Sequence, residues 1–311
     1  MWMTERGVSQ YPLRMHVAVT GAAGFLGENL VRVLLEQPQY EVVGLVRAGG
    51  ESANVAVPCS EIDLTAGALP DGVFSGVEMV VHLAGLYSER AADLAAMRAT
   101  NVSGTRAVLD AAVRDGVRRV VHCSTMGTCA PGEPGAPATE ADRIDPGAAS
   151  PYHLSKLEGE EVALAEERVE VVVVNPAAPV GRFDRKPTVT GRRILDIAEG
   201  RWPRLLAGPI NHVSATSCVE GMLQAGEKGR PGERYLLGGE DVAPEDLLAR
   251  VADAAGIPPP RRPLLWRLRG KGKPSPGSLM VDDSKARREL GYDPGSLDAA
   301  FRDAVAWFRE G

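Results

Sequence analysis

Tyr152-His153-Leu154-Ser155-Lys156 sets a phenol and an ammonium four residues apart, which places both on one face of a helix. A phenol ionises near ~10 and is a poor acid–base group at neutral pH. A neighbouring ammonium favours the phenolate and would bring that group toward working range. The spacing alone is common; its position gives it weight. The pair follows, by one Pro-rich loop, a Val-rich run that ends Val121-His122-Cys123-Ser124-Thr125. Hydroxyls at the C-terminal edge of a parallel sheet lie where open α/β folds bind ligands. Thr125 or Ser124 can therefore hold a substrate oxygen toward Tyr152, while the other caps the strand end, a role that suits Ser124.

A second run has the chemistry of a phosphate cradle. Thr20-Gly21-Ala22-Ala23-Gly24-Phe25-Leu26-Gly27 stands between a β-branched run and an amphipathic stretch. Gly21 permits the tight turn, Gly24 lets backbone approach a pyrophosphate, and Gly27 lets the helix pack closely on the sheet. The helix start then offers free N–H groups and a positive dipole end. An acid at the tip of the next strand would bind a ribose hydroxyl and favour NAD. Here the tip reads Gly44-Leu45-Val46-Arg47, and a guanidinium pairs bidentately with a 2′-phosphate. The expected cofactor is NADP; NAD is the alternative if Arg47 is a surface arginine lying on adenine.

The elements that must carry these residues alternate regularly. Val-rich runs at Met15–Thr20, Glu41–Arg47, Met79–Leu83, Arg119–Cys123 and Val169–Val174 read as strands buried on both faces. Helical patterns at Phe25–Glu36, Leu94–Arg114 and Ser155–Arg168 lie between them. This predicts an α/β, Rossmann-type doubly wound parallel sheet with right-handed crossovers over residues 15–174. After Asn175 prolines and glycines multiply and only isolated strands such as Arg234–Leu237 stand out, so residues 175–311 read as a smaller C-terminal α+β substrate lobe. Residues 1–14 read as a flexible extension. The Pro-rich, basic stretch from Gly256 to Gly277 reads as a solvated loop, with a lid over an anionic substrate as the alternative.

Composition excludes several classes. A net charge of −6 gives no basic surface for nucleic acid. No stretch approaches the ~18 apolar residues of a membrane span. Cys59, Cys123, Cys129 and Cys218 show no metal-ligand spacing and the histidines form no HExxH, so no metal is expected and the thiols read as reduced, in a cytoplasmic protein.

On the glycine run, the Tyr/Lys pair and the strand-end hydroxyl, the chain from Met15 to Arg309 resembles the extended short-chain dehydrogenase/reductases, the NAD-dependent epimerase/dehydratase family. Asp63-Leu64 resembles the family's adenine-contacting pair. Leu83-Ala84-Gly85 and Asn101 lie in segments that flank the cofactor there. Asn175-Pro176 resembles the turn into the substrate lobe. Lys186-Pro187-Thr188 and Gly232 to Gly239 are similar to the hopanoid-associated sugar epimerase and dihydroflavonol-reductase-like branch. The resemblance implies Tyr152 as general acid/base, Lys156 on the nicotinamide ribose and Thr125 polarising the substrate. It also implies a homodimer through the helices around Leu94–Arg114 and Ser155–Arg168. His212-Val213-Ser214-Ala215-Thr216 stands where the family shows His-Val-Asp-Asp-Val, a departure on the substrate side. The expected function is an NADP-dependent oxidoreductase acting on a small-molecule carbonyl or alcohol. The alternatives are a nucleotide-sugar epimerase or dehydratase with tightly held NAD(P), and a non-catalytic NADP sensor.

Overall fold

The computed structural model describes residues 14–47, 49, 55–129, 136–201, 208–259 and 279–310. The expected N-terminal extension falls almost wholly outside these residues, as does most of the basic stretch between Gly256 and Gly277.

Five runs become the strands β1 (Met15–Thr20), β2 (Tyr40–Arg47), β4 (Met79–His82), β5 (Arg119–Cys123) and β6 (Glu170–Pro176). With β3 (Cys59–Ile62) and β9 (Arg234–Leu237) they form a seven-stranded sheet in the order β3-β2-β1-β4-β5-β6-β9, and every pairing in it is parallel. The expected doubly wound fold is present. Strand side chains alternate between two cores: Val17, Val19, Met79, Val81 and Val121 face one, and Ala18, Val80 and Val120 face the other. Burial on both faces is why these strands read as unbroken apolar runs.

Helices α1 (Phe25–Leu35) and α6 (Ala215–Lys228) pack on one face. The other face carries α2 (Leu94–Arg98), a π-helical turn (Ala99–Ser103), α3 (Gly104–Arg114) and α4 (Pro151–Leu164). Strand order reverses between β1 and β4, and the carboxyl edge at such a switch point is where ligands bind.

Three expectations need correction. Helix α4 begins at Pro151, four residues before the expected Ser155, because Ser150 caps it by accepting from His153 N at 3.2 Å and Pro151 occupies the first turn. Tyr152 and Lys156 therefore both lie inside the helix. The stretch Leu94–Arg114 is interrupted by the π-helical turn, a feature that concentrates at functional sites. Arg234–Leu237, expected to be isolated, pairs parallel with β6 and completes the large sheet.

A separate three-stranded sheet, β10-β8-β7, is built from β7 (Ala178–Val180), β8 (Ile210–Ser214) and β10 (Glu240–Val242). Its third apolar cluster joins α5 (Val189–Ala198), α7 (Pro244–Ala254) and the helix Leu297–Glu310 through Ile194, Val251 and Phe301. Among the described residues no helix is long and apolar enough to cross a membrane, and no group of metal-binding side chains gathers.

Candidate active site

A groove of about 960 Å³ opens along the carboxyl edge of β1, β2 and β4. The expected residues Gly21, Gly24, Phe25, Arg47, Asp63, Leu64, Leu83, Ala84 and Gly85 all line it. The cradle is sterically exact in the glycine sense. Gly21 has φ +72°, and a Cβ there would come within 2.8 Å of Ala84 N. On Gly27 it would reach 2.1 Å from the Gly21 carbonyl oxygen, so this residue does its work in helix packing, away from the groove wall. Leu26 packs into the first core. Helix α1 has no side-chain cap at Gly24, which leaves its first N–H groups for an anion. These features fit a dinucleotide.

The two ends of the groove differ. At the β2 tip, Arg47 is exposed and its side chain makes no hydrogen bond among the described residues. Asp63 is turned onto its own loop, accepting from Thr65 N at 2.8 Å and Thr65 Oγ1 at 2.6 Å. Those hydrogen bonds hold its carboxyl below the usual range.

The other end is closed by a directed hydrogen-bond chain. Ala84 N donates to Thr20 Oγ1 at 3.2 Å, and Thr20 Oγ1 lies 2.7 Å from His82 Nδ1. His82 Nε2 lies 3.2 Å from Thr105 Oγ1, whose proton is committed to the Asn101 carbonyl at 2.7 Å. His82 must therefore donate from Nε2 and accept at Nδ1. Burial, with Lys156 adding, pulls its pKa down to about 3, consistent with a neutral ring. From the π-helical turn, Asn101 Nδ2 donates to Ser155 Oγ at 2.9 Å, and Ser155 Oγ donates to Tyr152 O at 2.8 Å. The same Asn101 amide holds Leu86 through its N–H at 2.7 Å and its carbonyl at 2.9 Å. The chain ties the glycine turn to the helix that carries the tyrosine.

The groove approaches Lys156 at Gly85, although neither Tyr152 nor Lys156 is among its lining residues. A Cβ there would lie 3.2 Å from Asn101 Oδ1 and 3.9 Å from Lys156 Nζ. Lys156 is buried and donates to the Cys123 carbonyl at 2.7 Å. The expected acidification of the phenol by this ammonium is not found. Burial pushes Tyr152 above its ordinary value, with Cys123 and Tyr87 adding, and burial pushes Lys156 down. Burial is the larger cause, and the lysine's hydrogen bond goes to the strand-end carbonyl.

The strand-end hydroxyls exchange the expected roles in capping. Thr125 Oγ1 accepts from Gly127 N at 3.2 Å, at the start of the turn Met126–Thr128. Ser124 Oγ is buried with no partner. A hydroxyl that accepts one bond keeps its proton to donate, so Thr125 remains able to hold a substrate oxygen. Asn175 is fully buried and its Nδ2 donates to Thr125 O at 3.2 Å, Thr128 Oγ1 at 3.0 Å and Glu160 Oε2 at 2.8 Å. Neither Asn175 nor Pro176, which pairs with Leu237 in the sheet, lines the groove. Instead Asn175 anchors α4 through Glu160, which lies 2.7 Å from Arg234 Nε inside the protein.

Some residues at the site were not anticipated. The Tyr87 ring stands edge-on to Tyr152 with centroids 4.7 Å apart and is half exposed beside it. An aromatic two residues beyond Gly85 was the available signal. Phe183, Asp184, Arg185, Lys186 and Thr188 also line the groove, although they follow β7 in the sequence. Nothing in their spacing announces this.

Comparison with known proteins agrees with the geometry. The profile of the NAD dependent epimerase/dehydratase family matches residues 17–238. A sterol demethylase protein B from Methylococcus capsulatus is 35% identical, covering 95% of this chain and 99% of its own length. A putative dihydroflavonol 4-reductase from Synechocystis is 34% identical over 94% of both chains. The crystal structure of a nucleoside-diphosphate-sugar epimerase from Pseudomonas aeruginosa superposes with a TM-score of 0.79 at 28% identity, covering 95% of this chain and 98% of that one.

Proposed function

Because the chain belongs to the NAD dependent epimerase/dehydratase family of extended short-chain dehydrogenase/reductases, and is thereby an enzyme using a nicotinamide dinucleotide, we propose that it reduces a carbonyl on a small molecule with NADPH. The observation that carries the reading is the meeting at Gly85 of the glycine-lined groove with Asn101 and Lys156. Gly21, Gly24, Phe25, Asp63, Leu64, Leu83 and Ala84 would hold the dinucleotide, and once bound it supplies the hydride. Tyr152 donates the proton to the substrate oxygen. Its burial keeps the phenol protonated at neutral pH, the state a general acid needs. Lys156, with its pKa drawn down by burial, holds the ribose and orients the ring beside Tyr152. Thr125 fixes the substrate oxygen by donating its free proton. Positioning of this kind supplies a large part of such a rate.

Arg47 supports NADP over NAD. It lines the groove, the adjacent Asp63 is engaged by Thr65, and among the described residues no carboxylate pairs with its guanidinium. Four free thiols support a cytoplasmic location, and resemblance supports a homodimer, which light scattering in solution would check. We assign residues 15–174 mainly to the cofactor and 175–311 mainly to the substrate.

The likeness to a nucleoside-diphosphate-sugar epimerase favours a second reading, in which the same residues serve a nucleotide-sugar. A screen of purified protein separates the two. Stoichiometric NADPH oxidation with a carbonyl panel, abolished in Tyr152→Phe, is expected. Conversion of a nucleotide-sugar with no net NADPH consumed would replace the reductase with the epimerase.

A further inference from the structure

We propose that Glu28 and Arg185 form a charge-offsetting pair that sets how tightly the glycine turn holds a dinucleotide's phosphates, an inference that rests on the dinucleotide reading above. Glu28 lies in the first turn of α1, directly after Gly27, and is 2% exposed. A carboxylate there stabilises the empty helix, and it competes with any anion seated at the same positive end.

Two arginines answer that charge. Arg32 reaches Glu28 from the next turn at 3.1 Å. Arg185 forks onto both carboxylate oxygens, with Nε at 3.2 Å and one terminal nitrogen at 2.9 and 3.0 Å. Arg185 arrives from far along the chain, in the segment 182–188 between β7 and α5, and its own side chain lines the groove with Gly24 and Phe25. It thus stands between the buried acid and the space the phosphates would enter.

The segment is fixed for this purpose. Asn29 Nδ2 on α1 donates to the Arg182 carbonyl at 2.9 Å. Phe183 has φ +73°, the only non-glycine residue with positive φ among those described. Its ring lies 4.3 Å beneath the Arg32 guanidinium and 5.0 Å from the Trp307 ring. Asp184 is buried and accepts from Thr188 N at 2.9 Å and Thr188 Oγ1 at 2.8 Å. The Arg185 guanidinium itself lies 5.1 Å from the Trp307 ring. A left-handed phenylalanine persists only where its surroundings over-determine it, and here they place a cation over an acid at the helix start.

The test is an equilibrium titration of NADPH and NADH against wild type, Arg185→Ala, Glu28→Gln and the double variant, with thermal melts to confirm folding. Arg185→Ala leaves the carboxylate facing the phosphates and should weaken both dinucleotides by about tenfold or more, while Glu28→Gln should tighten them. The double variant should return to within about threefold of wild type, since neither charge remains. Unchanged binding in Arg185→Ala, or a double variant as weak as Arg185→Ala, overturns the pairing. If Arg185→Ala does not fold, Glu28→Gln decides alone, and binding no tighter than wild type overturns it. Wild type that takes up neither dinucleotide is a different failure, that of the cofactor reading itself.

Discussion

The two ends of the groove are built on opposite principles. At the Tyr152 end every polar group of the chain Thr20–His82–Thr105–Asn101–Ser155 has an assigned donor or acceptor, and the parts are buried. At the β2 tip the Arg47 side chain is exposed and has no partner among the described residues. Buried, fully satisfied networks hold a side chain in one geometry, which proton transfer requires. On the proposed NADP reading, the exposed cation would tune which coenzyme is held. The difference predicts where substitutions break turnover, where they break the fold, and where they only shift preference.

The strongest way to test that division is Tyr152→Phe. Removing the proposed proton donor should lower kcat by about a thousandfold, while dinucleotide affinity changes less than about threefold, since among the described residues the Tyr152 hydroxyl makes no hydrogen bond that supports the groove. Steady-state rates and a binding titration check both halves. A large loss of affinity with turnover preserved would erase the distinction between the ends.

Next in size is Glu160→Ala. Glu160 is fully buried, pairs with Arg234 at 2.7 Å and accepts from Thr128 and Asn175. Stripping one partner leaves Arg234 charged inside the protein and should cost about 3–5 kcal/mol of stability, read by denaturant unfolding. An exposed pair would cost at most about 1 kcal/mol, and a loss that small would show that α4 is not held from within.

Acid should act on the buried end first. His82 is held neutral, with its pKa pulled down by burial to about 3 from an ordinary 6.5, and His122 is also pulled well below its ordinary value. Below about pH 6.5 the unfolded chain takes up protons that the folded one refuses, so stability is full above that pH and falls as pH falls toward the folded values. Each histidine contributes up to about 1.4 kcal/mol per pH unit. Both His122 ring nitrogens lack partners, so His122→Leu should remove one share of the slope between pH 6.5 and 5 without destabilising the fold at pH 7. Melting curves across that range check it; an unchanged slope would mean His122 is protonated in the native state.

The smallest effect belongs to the open end. Arg47→Ser should weaken NADPH about tenfold and leave NADH within about twofold, with no change in melting temperature. Equal losses for both coenzymes would assign Arg47 to adenine and not to the 2′-phosphate.

What was legible in the sequence follows from the same physics. β1, β4 and β5 are buried on both faces, so they read as apolar runs, and the glycine turn after β1 is recognisable because only glycine fits it. The edge strand β3 carries no apolar run, because Ser60 and Glu61 are adjacent exposed positions between Cys59 and Ile62. The three-stranded sheet was missed because β7 and β10 are too short to carry a period. Arg234–Leu237 is visible as a strand, but its register partners, 61 residues upstream on β6, are a matter of tertiary pairing. The Tyr152–Lys156 spacing implies one helix face, and both residues do lie on α4. The direction of the phenol's shift follows from burial, which spacing does not carry. The segment 182–188 is tied to α1 by the bonds of Asn29 and Glu28 to Arg182 and Arg185, which no local pattern records.

The most direct trial of the account is a structure of the protein with NADPH bound, measuring how far the Tyr152 hydroxyl lies from the nicotinamide carbon that carries the hydride. A separation of about 4 Å, close to the near-attack distances that permit concerted proton and hydride transfer, is the expected result. A nicotinamide ring seated away from Gly85, with the phenol out of reach of its reactive carbon, would contradict it.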